Sequence, residues 1–136
     1  MKKLTSLPAV LMLVLGLTGG HAYADDDILN PNPTVSCTLV DSFLPVLLDA
    51  QQKGATSKEL RNLLDKETQE FIEALPKTDF FKTATGRSVD YTVSILDEIS
   101  KQPKQRGQIK LERHIEQFTK KHYDLCVEKQ TKMQKK

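Results

Sequence analysis

The sequence predicts an all-α protein: a single small bundle of four to five helices, in which a disulfide bond links the first helix to the last. From position 34 to position 128, apolar residues recur every three or four positions, the spacing of helices with one buried face. No segment shows the alternation with period two that marks a half-buried strand. After removal of the predicted signal peptide, which is described next, 112 residues remain, enough for one hydrophobic core.

The first 24 residues (1–24) are predicted to be a cleavable signal peptide. Lys2 and Lys3 give a positive start, and an apolar run over 7–17 follows. The tripeptide AYA, which ends at Ala24, has the small residues that signal peptidase accepts, so we expect cleavage between Ala24 and Asp25. The run is too short to span a membrane. We therefore expect a periplasmic or secreted chain with no membrane anchor after cleavage.

The charge of the mature chain is balanced overall but unevenly distributed. The leader carries two of the 20 lysines and arginines and none of the 18 acids, so the mature chain has a formal charge of zero. Acids predominate up to position 100 and bases after it. A basic end can bind nucleic acid or anionic lipid. Here the lysines are spread through a helical pattern with few aromatics, which favours a solvated helix face and no nucleic-acid partner.

The mature chain has two cysteines, Cys37 and Cys126, and an exported protein with an even number usually pairs them. In the chain-entropy model, closing a loop of about 90 residues removes roughly 4 to 5 kcal/mol of denatured-state freedom. Metal binding is the competing use. Two distant cysteines without a CxxC spacing are a weak signal for zinc, so we assign no metal and no cofactor.

Three segments follow the signal peptide. Residues 25–33, rich in Asp, Asn and Pro, are predicted to form a flexible leader. Residues 34–128 form the helical domain, and residues 129–136 are predicted to be a basic disordered tail.

Within the domain, breaker and capping residues indicate the helix boundaries. Pro45 should kink or divide the first helix. The segment that begins at Thr56 has the pattern of a capping box with Glu59. The stretch 78–102 is either two helices separated near Gly86 or one helix with a tolerated glycine.

The histidines of the mature chain, His114 and His122, lie two helical turns apart, too far to bind one metal ion. His122 interrupts an apolar stripe, which makes it a candidate pH-sensitive residue. The alternative is a histidine at the edge of the core, with one nitrogen bonded to water or a carbonyl. No motif supplies a nucleophile or a phosphate loop, so we assign no catalytic residue and expect no enzyme.

Four aromatic residues are candidates for a surface that binds a protein partner: Phe80, Phe81, Tyr91 and Tyr123. Core packing is the alternative for each phenylalanine. A small helical scaffold without catalytic motifs usually functions through such a surface.

The chain has an early cysteine at Ser36-Cys37, followed by an amphipathic helix, and a late cysteine at Leu125-Cys126, before a lysine-rich end. This arrangement resembles that of small periplasmic helical proteins with one disulfide. They include acid-stress chaperones of the HdeA type and immunity or inhibitor proteins that neutralise toxins. The resemblance is architectural and transfers no functional residue. It implies a non-enzymatic protein-binding module, either an inhibitor or immunity factor or a chaperone. The alternatives are a small periplasmic hydrolase or metal-dependent enzyme, and a structural subunit of an envelope assembly.

Overall fold

A computed structural model describes residues 31–134. Four long helices and two single turns of helix follow one another along this range, and none of its residues lies in a strand. The elements are α1 (Pro33–Ser36), α2 (Val40–Gln52), α3 (Ser57–Ala74), α4 (Asp79–Ser94), α5 (Leu96–Ser100) and α6 (Gln108–Gln134). The predicted all-α bundle is confirmed.

The predicted disulfide is also confirmed. It joins Cys37, in the turn between α1 and α2, to Cys126 in α6, and both side chains are fully buried. Their Cα atoms lie 6.0 Å apart although 89 positions separate them in sequence. α2 packs more extensively against α6 than any other pair of helices does within the described range. The first and last long helices are thus joined both covalently and by packing.

The hydrophobic core surrounds α2. Phe43, Leu44, Leu47 and Leu48 recur at helical spacing and are fully buried, and the ring of Phe43 packs edge-on against Phe71 at 5.6 Å. By length and composition alone the segment Pro33–Gln52 is apolar enough to cross a membrane. Its apolar side chains instead pack inside the bundle. The other main core residues are Leu60, Leu64, Tyr91, Ile95, Ile99 and Phe118.

α2 continues through Pro45 and is not divided there. The break in the helical pattern lies earlier, between Ser36 and Val40, where the amides of Cys37 and Thr38 donate to carbonyls three residues back at 3.2 Å. Pro45 removes one amide from the helix, and its half-buried ring faces away from the core centre. The lost hydrogen bond is therefore confined to one turn.

The capping box at the start of α3 is confirmed. The Glu59 amide donates to Thr56 Oγ1 at 3.2 Å, and the Thr56 amide donates to the Glu59 carboxylate at 2.9 Å. Two amides that would otherwise lack a partner at the helix start are thereby paired.

The segment between positions 78 and 102 contains one long helix that accepts its glycine. α4 runs from Asp79 to Ser94 through Gly86, and Thr78 caps its start. The helix is interrupted at Ile95 instead, where the Ile95 amide donates to the Thr92 carbonyl before α5 begins. Neither alternative holds as stated: the helix tolerates Gly86, but the stretch contains two helices, which are separated at Ile95.

Two boundary predictions need correction. Pro31 is fully buried, and α6 continues to Gln134 with Gln130 only 5% exposed. The Pro31 carbonyl accepts hydrogen bonds from Arg87 Nη1 at 3.0 Å and from Gln134 Nε2 at 2.6 Å. Composition predicted a flexible leader up to position 33 and a disordered tail from 129 because it counts local apolar content. It misses these hydrogen bonds between residues that are distant in sequence.

The remaining predictions about the ends concern residues outside the described range. These are the signal peptide over 1–24, the cleavage point between Ala24 and Asp25, the leader over 25–30 and the last two residues of the tail. They stay predictions.

Replacing Gly86 by alanine should stabilise the protein by about 0.5 to 1 kcal/mol. A Cβ atom there has no neighbour within 4 Å, and alanine reduces the freedom of the unfolded chain. Gly54→Ala is the matched control: its φ of +101° is strained for an L residue, so stability should fall. Urea unfolding curves measure both changes. A lower urea midpoint for Gly86→Ala than for the unmodified protein would contradict the tolerance of position 86 for a larger residue in α4.

Candidate functional site

An open groove of about 710 Å³ runs between α2 and α6. α2 contributes Asp41 and Pro45. One face of α6 forms the other wall, because its lining residues are three or four positions apart. These residues are Glu112, Ile115, Glu116, Thr119, Lys120, Tyr123 and Asp124.

The groove begins beside the disulfide. Asp41 follows Cys37 by four residues, and Asp124 precedes Cys126 by two. The covalent bond therefore fixes the separation of the two helices at this end, and the groove does not depend on side-chain packing alone.

The rim of the groove is acidic. Asp41, Glu112, Glu116 and Asp124 supply four carboxylates, and all four residues are exposed. The one lysine of the lining, Lys120, forms an ion pair with Asp124 at 3.2 Å. The lining has more negative than positive charge, so it attracts cations.

The pKa values of two groups in the groove are shifted by burial and by the neighbouring carboxylates. Partial burial against the groove wall, and secondly the nearby Asp124 carboxylate, raise the pKa of Asp41 above its usual range. Burial and the charge of Asp41 likewise raise the pKa of Tyr123, while a hydrogen bond with Thr34 acts in the opposite direction.

The floor of the groove combines apolar and unsatisfied polar groups. Pro45, Ile115 and Tyr123 are half-buried and present carbon surface. Thr119 is only 9% exposed, and its Oγ1 has no hydrogen-bond partner within the described part of the chain. Pro45 has no amide hydrogen, so it cannot donate to the carbonyl of Asp41 one turn earlier. These features suit a ligand with both apolar and hydrogen-bonding groups.

The sequence carries a local signal for this site. Glu112, Glu116, Lys120 and Asp124 are four positions apart and therefore share one helix face. Their charges are typical of a solvated face. Only the position of α2 turns that face into the wall of a groove.

His122 lies in the core and not at the bottom of an open site. It is 3% exposed, its Nδ1 lies 2.8 Å from the Tyr91 hydroxyl, and its Nε2 lies 3.0 Å from Glu98 Oε2. A carboxylate only accepts, so Nε2 carries a hydrogen, and when the ring is neutral Nδ1 accepts from the tyrosine. Lys121 Nζ approaches the same Glu98 oxygen at 3.8 Å. Both ring nitrogens are thus paired.

This pairing bears on the predicted pH sensitivity of His122. A second ring proton on Nδ1 would displace the Tyr91 hydrogen and leave that buried hydroxyl without its acceptor. Burial, followed by the charge of Glu98, raises the pKa of Tyr91 to about 12, so the hydroxyl stays protonated at neutral pH. The pH response of His122 itself stays a prediction.

The aromatic residues predicted to form a partner surface do not lie together. Phe80 and Phe81 pack edge-on at 5.2 Å in a small cluster with Val35 and Leu75. Tyr91 is also buried, at 7% exposure. The prediction is therefore wrong for these three residues, whose spacing on α4 directs them inward. Tyr123 is half-buried and lines the groove.

The two histidines do not form a common site. The ring of Phe118 lies between them, with its centroid 6.1 Å from that of His114 and 4.5 Å from that of His122. Within residues 31–134, no group of three or more acidic, histidine or cysteine side chains is arranged to hold a metal ion.

No protein-family model, no curated protein and no solved structure matches this chain. The site therefore has to be interpreted from its own geometry.

Tyr91→Phe should lower the free energy of unfolding at neutral pH by about 1 to 3 kcal/mol, because it leaves His122 Nδ1 buried without a donor. The pH dependence has a defined sign. The pKa of Tyr91 rises from 10.0 to about 12 in the folded protein, so the stability it contributes is complete below pH 10 and is lost as the pH rises towards 12.

Urea unfolding as a function of pH tests both statements. The Tyr91→Phe variant should lack this part of the alkaline decline. Tyr123→Phe, at a half-exposed position, should lose less stability at neutral pH. Equal losses in the two variants would contradict the assigned role of the Tyr91–His122 contact.

Proposed function

We propose that this chain is an exported, non-enzymatic protein-binding module that captures one partner, in the manner of an inhibitor or immunity factor. The observation that carries the proposal is the groove between α2 and α6. It has a half-buried apolar floor, an acidic rim and walls that the disulfide holds together. Concave sites with an apolar floor and a few polar groups are typical of ligand binding.

The distribution of exposed apolar residues favours one partner over many clients. The large apolar side chains that are exposed in the described range are Ile72, Ile109, Leu125 and Met133. Ile72 lies on α3, and the other three are spread along α6. A chaperone for many clients needs a large continuous apolar face, which these dispersed positions do not favour.

The alternative of a hydrolase or metal-dependent enzyme depends on His114 or His122. Both ring nitrogens of His122 are bonded within the core, which leaves it without a free nitrogen for a substrate. His114 is half-buried, and its Nε2 has no partner among the described residues. In the described part of the chain it belongs to no group of three or more acidic, histidine or cysteine side chains that could hold a metal ion. The geometry therefore supports binding better than catalysis.

Export to the periplasm or the medium is part of the proposal. A buried disulfide between residues 89 positions apart is typical of an oxidising compartment. The signal-peptide pattern of the first 24 residues independently favours the same destination.

Site-specific photo-cross-linking tests the function. The chain with benzoylphenylalanine at position 120, in place of the lysine of the groove, should give one discrete cross-linked product in the envelope fraction when it is expressed with its signal peptide in the native host. The same substitution at Glu73, exposed on α3 and outside the groove, is the control. The cross-linked chain should begin at Asp25. Several products from both positions would contradict capture of one partner through the groove, as would no product from position 120.

A further inference from the structure

The charges of the groove define the class of partner segment that it accepts. Four carboxylates from both walls surround the opening, and the only lysine of the lining is bound to Asp124. An incoming anionic or neutral segment would leave these carboxylates without compensation. A cationic segment compensates them, so charge complementarity favours one class of partner.

The floor of the groove excludes a bare ion as the natural ligand. Its volume of about 710 Å³ is far larger than a metal ion needs, and the carboxylates of the rim do not form a ligand set. Cavities of about 300 to 1,000 Å³ hold ligands the size of several side chains. The half-buried carbon surface of Pro45, Ile115 and Tyr123 suits aliphatic groups, including the stems of lysine and arginine.

We infer that the groove binds a segment of a partner protein that carries lysine or arginine beside aliphatic residues, with the cations on Asp41, Glu112 and Glu116. This inference rests on the proposed function and specifies its partner. The aliphatic stems lie on the floor, beside Thr119, whose buried Oγ1 has no hydrogen-bond partner in the described range.

A second, independent feature supports a cation next to Asp41. Partial burial and Asp124 raise the pKa of Asp41, and the other charged or titratable groups around it are Tyr123, Lys120 and the two glutamates. A bound ammonium or guanidinium favours the ionised carboxylate, so binding releases a proton when Asp41 is partly protonated. Affinity should therefore fall as the pH drops through the raised pKa of Asp41, and Asp41→Asn should reduce this dependence.

The test measures the binding of synthetic peptides to the full chain with its disulfide formed. The probe is a short peptide of alternating leucine and lysine, compared with matched peptides in which glutamine or glutamate replaces lysine. Fluorescence anisotropy should show binding of the lysine peptide that weakens as ionic strength rises, and roughly tenfold weaker binding of the glutamine peptide.

Variants locate the binding. Asp41→Asn combined with Glu116→Gln should weaken binding of the lysine peptide roughly tenfold or more, since two close charge pairs are lost. The control combines Asp65→Asn with Glu73→Gln, two exposed acids of α3 outside the groove, and should leave affinity unchanged. Circular dichroism and unfolding curves check that both double variants fold.

The remaining outcomes overturn the inference, and they can be told apart from failure of the proposed function. Equal binding of the glutamine peptide removes the charge requirement but leaves a peptide groove. Equal loss in the control variant indicates non-specific attraction to an acidic surface. No peptide binding, together with a discrete cross-link from position 120, leaves the function standing with a partner of another class. Self-association that competes with the peptide in light scattering makes a second copy of this chain, with its lysine-rich end, the occupant.

Discussion

The bond between Cys37 and Cys126 constrains the structure most strongly, because it joins residues 89 positions apart. α2 is the centre of the core and packs mainly on α6, so the bond secures the most extensive contact between helices in the described range. Hydrogen bonds add to this constraint, because the Pro31 carbonyl accepts from Arg87 of α4 and from Gln134 of α6. The first and last parts of the described range are thus tied together.

The same constraint has a functional consequence. A groove between two helices closes when side chains repack, unless something holds the helices apart and in register. The covalent bond lies within one turn of Asp41 and Asp124, where like charges repel each other. The disulfide bond keeps the two walls of the groove together despite this repulsion. The groove can thus keep an unfavourable arrangement of carboxylates in the free protein, which a cation from a partner then relieves.

Much of the fold could be predicted from the sequence, because its signals are local. The apolar spacing predicts the buried face of α2, and Thr56 with Glu59 predicts the start of α3. The disulfide followed from cysteine number and the export signal. The predictions that failed depend on contacts between distant segments. The last turn of α6 is hydrogen-bonded to Pro31, and the inward-facing Tyr91 is hydrogen-bonded to His122. The groove was missed for the same reason, since the acidic face of α6 becomes a site only opposite Asp41 and Pro45.

The central claim is that the Cys37–Cys126 bond holds α2 and α6 together as the walls of a permanent groove. Native-state hydrogen exchange, compared between the oxidised protein and a Cys37→Ala/Cys126→Ala double variant, tests it most directly. The account predicts that amides of α2 and of the middle of α6 are the slowest to exchange in the oxidised protein. Loss of about 4 to 5 kcal/mol on removing the bond should reduce their protection roughly a thousandfold. Protection that changes by less than about tenfold in both helices would contradict the account.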